Sequence, residues 1–400
     1  MVKTLFYCAK LKCDMFITIN NITLHYKLDG FAKGTPIVFI NSLGSDLRIW
    51  DDVAARLQHQ HRIVRYDKRG HGLSSCPSGP YTMMDHAVDL VGLLDYLQIE
   101  TAVLCGISVG GMIAQNVALA FPDRVRILIL CDTGAKIGTT QSWNDRIGTV
   151  QQHGMGAIAE AILARWFTSA YRQQCAADYA GYAAMLERTS AVGYAGTCAA
   201  LRDADFTADV ARIDVPTLVL CGDQDSSTPP ALSEALHNRI GGAQMVLIEN
   251  AAHLPCIEQP AVMAKEIDVF LQSKIQNLKS KMEAGMVMRR EVLGDAHVDR
   301  VEANKTDFDA DFQKFITETA WGSVWTRGGI DRKTRHLLTI VLMAALGKEH
   351  ELAMHIRATR NTGVTPDEVK EALMQVAVYA GVPAANVAFG VAKRTFLEMK

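Results

Sequence analysis

Gly106, Ser108 and Gly110 form the pattern G-x-S-x-G at a point where a serine nucleophile can be presented. The apolar run at 102–105 predicts a buried strand, and residues 112–120 predict a helix. Between a strand and a helix, this pattern makes a sharp turn that lifts the serine hydroxyl to the top of a sheet. A side chain at either glycine would clash with the neighbouring strand or helix. The motif therefore predicts nucleophilic catalysis by Ser108.

Ser108 needs a general base, and the base needs an acid that orients it, because a serine hydroxyl is protonated at neutral pH. Asp223 and Asp225 both follow one predicted strand, and His253 follows the next. The chain order Ser, Asp, His is that of α/β-hydrolases and differs from that of trypsin-like or subtilisin-like proteases. We favour Asp225 over Asp223 because it stands farther beyond the end of its strand. The expected triad is Ser108, His253 and Asp225.

The loop at 41–45 follows the first buried strand and meets a second requirement of this chemistry. A tetrahedral oxyanion needs backbone N–H donors that are fixed before the charge develops. In hydrolases with this chain order, one donor comes from this loop and the other from the residue after the nucleophile. We therefore predict Leu43 and Val109 as the oxyanion donors.

The sheet that must position these residues is predicted from apolar runs that alternate with helical segments. The expected strands are residues 36–41, 62–67, 102–105, 126–131, 216–221 and 244–249. A hairpin with a two-residue turn at Asn20 and Asn21 precedes them. Continuous runs of Val, Ile and Leu separated by helices indicate an α/β fold, with a mostly parallel sheet covered on both faces.

Residues 140–205 interrupt the strand pattern and are predicted to form a helical cap. The segment is rich in alanine and in aromatic residues. A cap of this kind closes over a nucleophile and excludes water other than the attacking molecule. Trp143 is a candidate wall of the pocket, and Arg146 is a candidate ligand for a substrate carboxylate. Ordinary cap packing for Trp143 and a solvated position for Arg146 are the alternatives.

Length and composition indicate two domains, because 400 residues exceed what one core usually organises. A net charge of −2 gives no electrostatic reason to expect nucleic acid or an anionic membrane. We expect a disordered extension at 1–15, an α/β domain at 16–273, a linker at 274–285 and an all-helical domain at 286–400. The nine cysteines include no C-x-x-C pair, which favours a reduced, cytoplasmic protein.

The helical domain carries histidines and acids at helical spacing. His350 and His355 are five positions apart and diverge by ~140° around a helix, so they cannot bind one zinc ion as an H-E-x-x-H pair does. Glu351 and His355 are four apart and share a face, which makes them either an acid–base pair or an ordinary surface pair. Arg332 and Arg357 are candidates for binding carboxylates.

Two sets of runs resemble known families. FINSLG at 39–44, YDKRGHG at 66–72 and GISVGG at 106–111 resemble the 3-oxoadipate enol-lactonases of the α/β-hydrolase family. ITETAWG at 316–322, GKEHEL at 347–352, HIRA at 355–358 and YAGVP at 379–383 resemble the 4-carboxymuconolactone decarboxylases. The resemblance implies an α/β-hydrolase fold with a helical cap, followed by an all-α domain. Related thiol peroxidases need C-x-x-C, and no cysteine follows Cys256.

Together the two resemblances imply a bifunctional enzyme of protocatechuate catabolism. The second domain would convert 4-carboxymuconolactone to 3-oxoadipate enol-lactone, with His355 or Glu351 delivering a proton to carbon. The first domain would hydrolyse that lactone to 3-oxoadipate. We expect no cofactor and no metal, lactone carboxylates as ligands, no nucleic-acid or membrane partner, and a homo-oligomer formed through the helical domain. The alternative is an esterase of other specificity with a helical oligomerisation module.

Overall fold

The computed structural model describes residues 11–400, including their side chains except at 11–14 and 275–280. The chain divides between Leu271 and Gln272 into two compact units. Among the helices of these described residues, none has the length and apolar character needed to cross a bilayer.

The first unit is built on one eight-stranded sheet. Its strands are β1 (Leu11–Ile19), β2 (Ile22–Gly30), β3 (Thr35–Ile40), β4 (His61–Tyr66), β5 (Ala102–Ile107), β6 (Val125–Cys131), β7 (Thr217–Gly222) and β8 (Gln244–Ile248). Their order across the sheet is β1-β2-β4-β3-β5-β6-β7-β8. The pairs β1–β2 and β2–β4 are antiparallel, and the other neighbours are parallel. Every residue of β5 is buried, which explains its continuous apolar sequence.

Among the described residues, ten helices lie entirely within the first unit. They are α1 (Asp51–Leu57), α2 (Met83–Tyr96), α3 (Val109–Ala120), α4 (Thr140–His153), α5 (Gly156–Trp166), α6 (Ser169–Gln174), α7 (Ala176–Glu187), α8 (Ala191–Asp203), α9 (Pro230–Arg239) and α10 (Pro255–Glu258). Short 3₁₀ turns lie at Leu47–Trp50, Pro122–Arg124 and Val210–Arg212. Helices α4 to α8 lie between β6 and β7 in the chain and form the predicted cap. Because β3, β5, β7 and β8 run parallel, the loops after them meet at one edge of the sheet.

The second unit is all helical. Helix α11 (Pro260–Leu293) begins before the division and continues beyond it. It is followed by α12 (Asp295–Ala303), α13 (Ala310–Ile316), a π-helix (Thr317–Trp325), α14 (Arg332–Ala345), α15 (Glu349–Thr362), α16 (Pro366–Tyr379) and α17 (Val382–Glu398). Helix α14 packs against α15, α16 and α17. Asp331 caps α14 by accepting from the Thr334 N–H, and Thr365 forms a capping box at the start of α16.

The structure differs from the sequence-based expectation at the start of the chain. Residues 11–15, predicted to be disordered, belong to β1, because the whole of β1 pairs antiparallel with β2 from Leu11 opposite Gly30 onward. Residues 1–10 of that predicted extension lie outside the described residues. The two-residue turn is as predicted, with φ of 50° at Asn20 and 62° at Asn21, which suits a twisted hairpin.

The predicted linker also differs from the expectation. Residues 274–285, predicted to be a linker, are helical, because α11 continues through them without interruption. The linker was predicted because this stretch is rich in charged residues, which include Lys274, Lys281 and Glu283. Charge does not prevent a helix from continuing, since Lys, Glu and Arg are all good helix formers.

Candidate active sites

The turn between β5 and α3 holds Ser108 in a backbone conformation that L-residues rarely adopt, with φ of 59° and ψ of −121°. A Cβ atom at Gly106 would lie 2.2 Å from the Gly110 carbonyl oxygen, and one at Gly110 would lie 2.2 Å from the Ile40 carbonyl oxygen. Only glycine fits at these two positions, as the motif predicted. The strained turn presents a nucleophile at the edge where the strands end.

Asp225 and His253 meet at the same edge. Asp225 follows β7, and its Oδ2 lies 2.9 Å from Nδ1 of His253, which follows β8. The same carboxylate accepts from the hydroxyl of Thr228 at 2.6 Å and from the Ser227 N–H at 2.7 Å. Asp223, the alternative acid, instead accepts from a backbone N–H after β8. Of the two candidate acids, Asp225 is therefore the one whose carboxylate contacts His253.

The electrostatics keep Asp225 ionised. Burial acts to raise its pKa, but the adjacent His253 and the hydrogen bonds from Thr228 lower it below the ordinary value. The neighbouring carboxyl of Asp132 behaves in the opposite way. Burial, and then the charge of Asp225, raise the pKa of Asp132 well above the ordinary value. The pKa values of these two neighbouring carboxyl groups are therefore shifted in opposite directions.

A cavity of about 160 Å³ lies between the sheet edge and the cap. Ser108, His253 and Leu43 all line it. Val109 is the first residue of α3, so its N–H belongs to the positive end of that helix dipole. Leu43 and Val109 remain the predicted oxyanion donors, and their positions next to the cavity and the nucleophile fit that role.

The cap contributes both predicted residues and one that the sequence did not reveal. Trp143 and Arg146 line the cavity, with the Arg146 guanidinium 5.3 Å from the Trp143 ring centre. Arg165 of α5 lines it too. Burial, and then the charge of Arg146, lower the pKa of Arg165. Two guanidinium groups beside one cavity favour an anionic ligand. Nothing in the local sequence distinguished Arg165 from other cap residues, because its direction depends on how α5 is docked.

The second unit contains a buried pair of histidines. Nε2 of His336, on α14, lies 3.2 Å from Nδ1 of His355, on α15, and Nδ1 of His336 lies 2.6 Å from the hydroxyl of Thr362. His336 is 0% exposed and His355 is 7% exposed, so His355 is the more accessible of the two. The Trp325 ring lies nearly parallel to the His355 ring, with the ring centres 6.4 Å apart.

Burial lowers the pKa of both imidazoles to about 4, and the mutual repulsion of the two groups adds to the effect on His355. Both rings are therefore neutral at pH 7. Trp325 belongs to the π-helix, a form that often marks functional sites. His336 was not among the candidate residues predicted from the sequence, although it is four positions from Arg332 and shares a helix face with it. A single histidine directly before the largely apolar run at 337–346 was the signal that could have identified it.

The other residues proposed for this unit lie elsewhere. Glu351 is exposed on α15, whereas the His355 ring is buried against α14, so the predicted Glu351–His355 pair is replaced by the His336–His355 pair. Arg332 pairs with Glu291. Arg357 pairs with Glu398 at 2.8 Å. A role for either arginine in binding carboxylates would require its ion pair to open.

Comparison with known proteins gives two family matches, one in each unit. The alpha/beta hydrolase fold matches residues 35–260. The carboxymuconolactone decarboxylase family matches residues 310–394.

Individual relatives divide between the units in the same way. The 3-oxoadipate enol-lactonase 2 of Acinetobacter baylyi is 36% identical over 256 residues, which cover 64% of this chain and 96% of that protein. The 4-carboxymuconolactone decarboxylase of the same organism is 47% identical over 123 residues, which cover 31% of this chain and 92% of that protein. The crystal structure of the enol-lactonase from Burkholderia xenovorans LB400 aligns with a TM-score of 0.63 and 36% identity, over 64% of this chain and 100% of that one.

Proposed function

The chain belongs to the α/β-hydrolase fold family in its first unit and to the carboxymuconolactone decarboxylase family in its second, and we propose that it catalyses two consecutive reactions. The second unit converts 4-carboxymuconolactone to 3-oxoadipate enol-lactone and CO2. The first unit hydrolyses the enol-lactone to 3-oxoadipate. One observation carries this proposal: each unit is similar to almost the full length of a separate protein named for one of these steps. The fused chain thus belongs to protocatechuate catabolism.

The hydrolysis uses the triad of the first unit. His253, oriented by Asp225, takes the proton of Ser108 as the serine oxygen attacks the lactone carbonyl. The N–H groups of Leu43 and Val109 stabilise the oxyanion. The ring C–O bond then breaks, and the enol oxygen leaves with the proton held by His253. Water, activated by the same imidazole, frees the acid from the serine, and the released enol becomes the ketone.

Selectivity for this lactone comes from the cap. The enol-lactone carries a free carboxylate, and Arg146 and Arg165 supply positive charge at the cavity. A bidentate guanidinium–carboxylate contact would orient the ring carbonyl toward Ser108. An esterase of other specificity is the competing function, and a panel of neutral alkyl esters separates the two. The proposal requires poor turnover of those esters relative to the enol-lactone.

The decarboxylation uses the histidine pair of the second unit. Loss of CO2 leaves an electron pair that the lactone carbonyl delocalises as a dienolate, and a proton must then be added to a ring carbon. His355 is the proposed donor, held in orientation by His336. The substrate brings two carboxylates, and an adjacent negative charge raises the pKa of an imidazole. Binding would therefore help His355 to take up the proton that it delivers.

Self-association through the second unit is part of the proposal. Leu338 and Leu342 lie four residues apart on α14, Leu346 directly follows that helix, and the three are 51%, 55% and 64% exposed. Phe312 and Phe315 are each 61% exposed on α13. Such a concentration of apolar surface is typical of an interface. Sedimentation of the whole chain tests this, and Leu342→Glu is expected to reduce the assembly size. A cytoplasmic location is the remaining prediction, supported by the nature of the relatives' reactions.

To test the function, the purified chain is incubated with 4-carboxymuconolactone, and CO2 and 3-oxoadipate are measured in the same reaction. Equal molar amounts of both products are expected. If no CO2 appears while added enol-lactone is hydrolysed, the decarboxylase proposal is wrong and an oligomerisation role for the helical unit is favoured. If neither compound is consumed, the function of both units is wrong.

A further inference from the structure

Lys68 is a buried charge that the hydrolysis mechanism does not use. It follows β4 and is 1% exposed. Its Nζ donates to the Ser42 carbonyl oxygen at 2.6 Å and lies 3.4 Å from the Asn41 carbonyl oxygen. Both carbonyls belong to the loop after β3, which contains the proposed oxyanion donor Leu43. Burying an ammonium group costs free energy unless the group is paired and hydrogen-bonded.

The contact to Ser42 bears directly on Leu43, because the Ser42 carbonyl and the Leu43 N–H belong to one peptide group. That group is planar, and in its trans form the C=O and N–H point in opposite directions. A cation that holds the carbonyl oxygen on the buried side thus fixes the direction of the N–H on the other side, where Ser42 and Leu43 line the cavity. The charge also polarises the peptide, which makes its N–H a stronger donor.

We propose that Lys68 is a positioning residue for hydrolysis, whose ammonium group orients and polarises the peptide between Ser42 and Leu43 so that its N–H stabilises the oxyanion. This inference rests on the serine-hydrolase part of the proposed function and on no particular substrate. Ser45 supports the same carbonyl, with its hydroxyl at 2.9 Å and its N–H at 3.3 Å. Those two donors are neutral, so they share the orienting role but cannot replace the charge.

The surroundings of Lys68 make its charge sensitive to pH. Burial lowers the pKa of Lys68 to about 7, although Asp67 and Asp46 both act to raise it. His71 and His86 are buried nearby, and burial, followed by the charge of Lys68, lowers the pKa of each. Above pH 7 Lys68 becomes a neutral amine that still donates a hydrogen bond. The acylation rate should therefore step down to a plateau when Lys68 loses its proton.

The test compares Lys68→Met with Lys33→Met, an exposed lysine, in the full chain. Acylation of Ser108 is followed with 4-nitrophenyl acetate, and affinity is measured for an alkylboronic acid, whose serine adduct carries a tetrahedral oxyanion. Removal of a whole oxyanion donor slows catalysis ~10²–10³-fold. Because Lys68 acts through one donor, its loss should slow acylation by about 10- to 100-fold and weaken binding of the boronic acid by about the same factor. Binding of adipate, a ground-state dicarboxylate, and CO2 release by the second unit should not change.

Acylation at the wild-type rate in Lys68→Met would overturn the inference, and so would an equal loss of adipate binding. If Lys68→Met does not fold, Lys68→Gln, which keeps a neutral donor at this position, decides: slower acylation with unchanged adipate binding supports the inference, and acylation at the wild-type rate refutes it. Because the probes are a simple ester and a boronic acid, they report on Lys68 even if the chain does not turn over the enol-lactone. Failure of the proposed substrate is therefore distinguishable from failure of this inference.

Discussion

Asp225→Asn should nearly abolish lactone hydrolysis while leaving the fold intact. Oδ1 of residue 225 accepts from backbone N–H groups, including that of Ser227, and the amide oxygen can keep those bonds. The amide nitrogen would then replace Oδ2, which faces Nδ1 of His253 and the Thr228 hydroxyl. A donor in that place stabilises the tautomer of His253 with the proton on Nε2. That tautomer cannot accept the proton of Ser108.

The magnitude follows from this loss of the general base. A wrong imidazole tautomer lowers kcat by about 10⁴ in the best-studied serine protease triad. We expect a decrease of ~10³–10⁴, which is about 4–5.5 kcal/mol of transition-state stabilisation. Enol-lactone consumption by the full chain measures it, with thermal unfolding as a check on the fold.

Asp223→Asn is the matched control, since Asp223 is the competing acid by sequence and contacts a backbone N–H instead of the imidazole. Its activity should stay within a few-fold of the wild type. Activity retained by Asp225→Asn, or lost equally in Asp223→Asn, would refute the assignment of the triad acid.

Three further predictions concern the cap, the strained turn and the histidine pair. Arg146→Met should raise the KM for enol-lactone by about 10- to 100-fold with a smaller change in kcat, because a charge-assisted contact with the substrate carboxylate is lost; an unchanged KM in steady-state assays would count against that contact. Gly110→Ala should lower the free energy of unfolding by more than about 3 kcal/mol, measured by thermal unfolding, because the added Cβ would lie 2.2 Å from a β3 carbonyl oxygen. Gly148→Ala on α4 is the control: its Cβ would meet nothing within 4 Å, so it should be neutral or stabilising by up to ~1 kcal/mol. In the unfolded chain His336 and His355 bind protons below about pH 6.5, whereas in the folded chain they stay neutral down to about pH 4. The unfolded state therefore binds more protons between these pH values, and the second unit should lose about 3 kcal/mol of stability per histidine as the pH falls through that window. Hydrogen exchange in α14 and α15 of the full chain checks this, and His336→Asn should reduce the slope; an equal slope in that variant would contradict it.

The sequence was most informative where function depends on the ends of strands. The positions of Ser108, Asp225 and His253 relative to predicted strands were enough to bring them to one edge, because parallel strands must end together. The need for glycine at 106 and 110 could also be predicted, because the geometry of the turn depends on local sequence.

Residues on helices were harder to assign. A spacing of four shows that Glu351 and His355 share a helix face, but it does not show which face is buried. Docking of α15 against α14 turns His355 toward His336 and leaves Glu351 exposed. Arg165 escaped notice for the same reason, because only the docking of α5 turns it toward the cavity.

Pairing partners distant in sequence explain the other difference. Residues 11–15 carry no strong strand signal of their own, and their conformation is set by pairing with β2. Local sequence cannot report a hydrogen-bonding partner that lies on another strand.

The central claim is that one chain performs both reactions at two separate sites. Ser108→Ala, given 4-carboxymuconolactone, tests it most directly when CO2, enol-lactone and 3-oxoadipate are followed together. We predict CO2 release at the wild-type rate, accumulation of enol-lactone in an equal molar amount, and 3-oxoadipate formed only at the rate of spontaneous hydrolysis. Formation of 3-oxoadipate at the wild-type rate would contradict the assignment of Ser108, and loss of CO2 release in a folded variant would contradict the separation of the two sites.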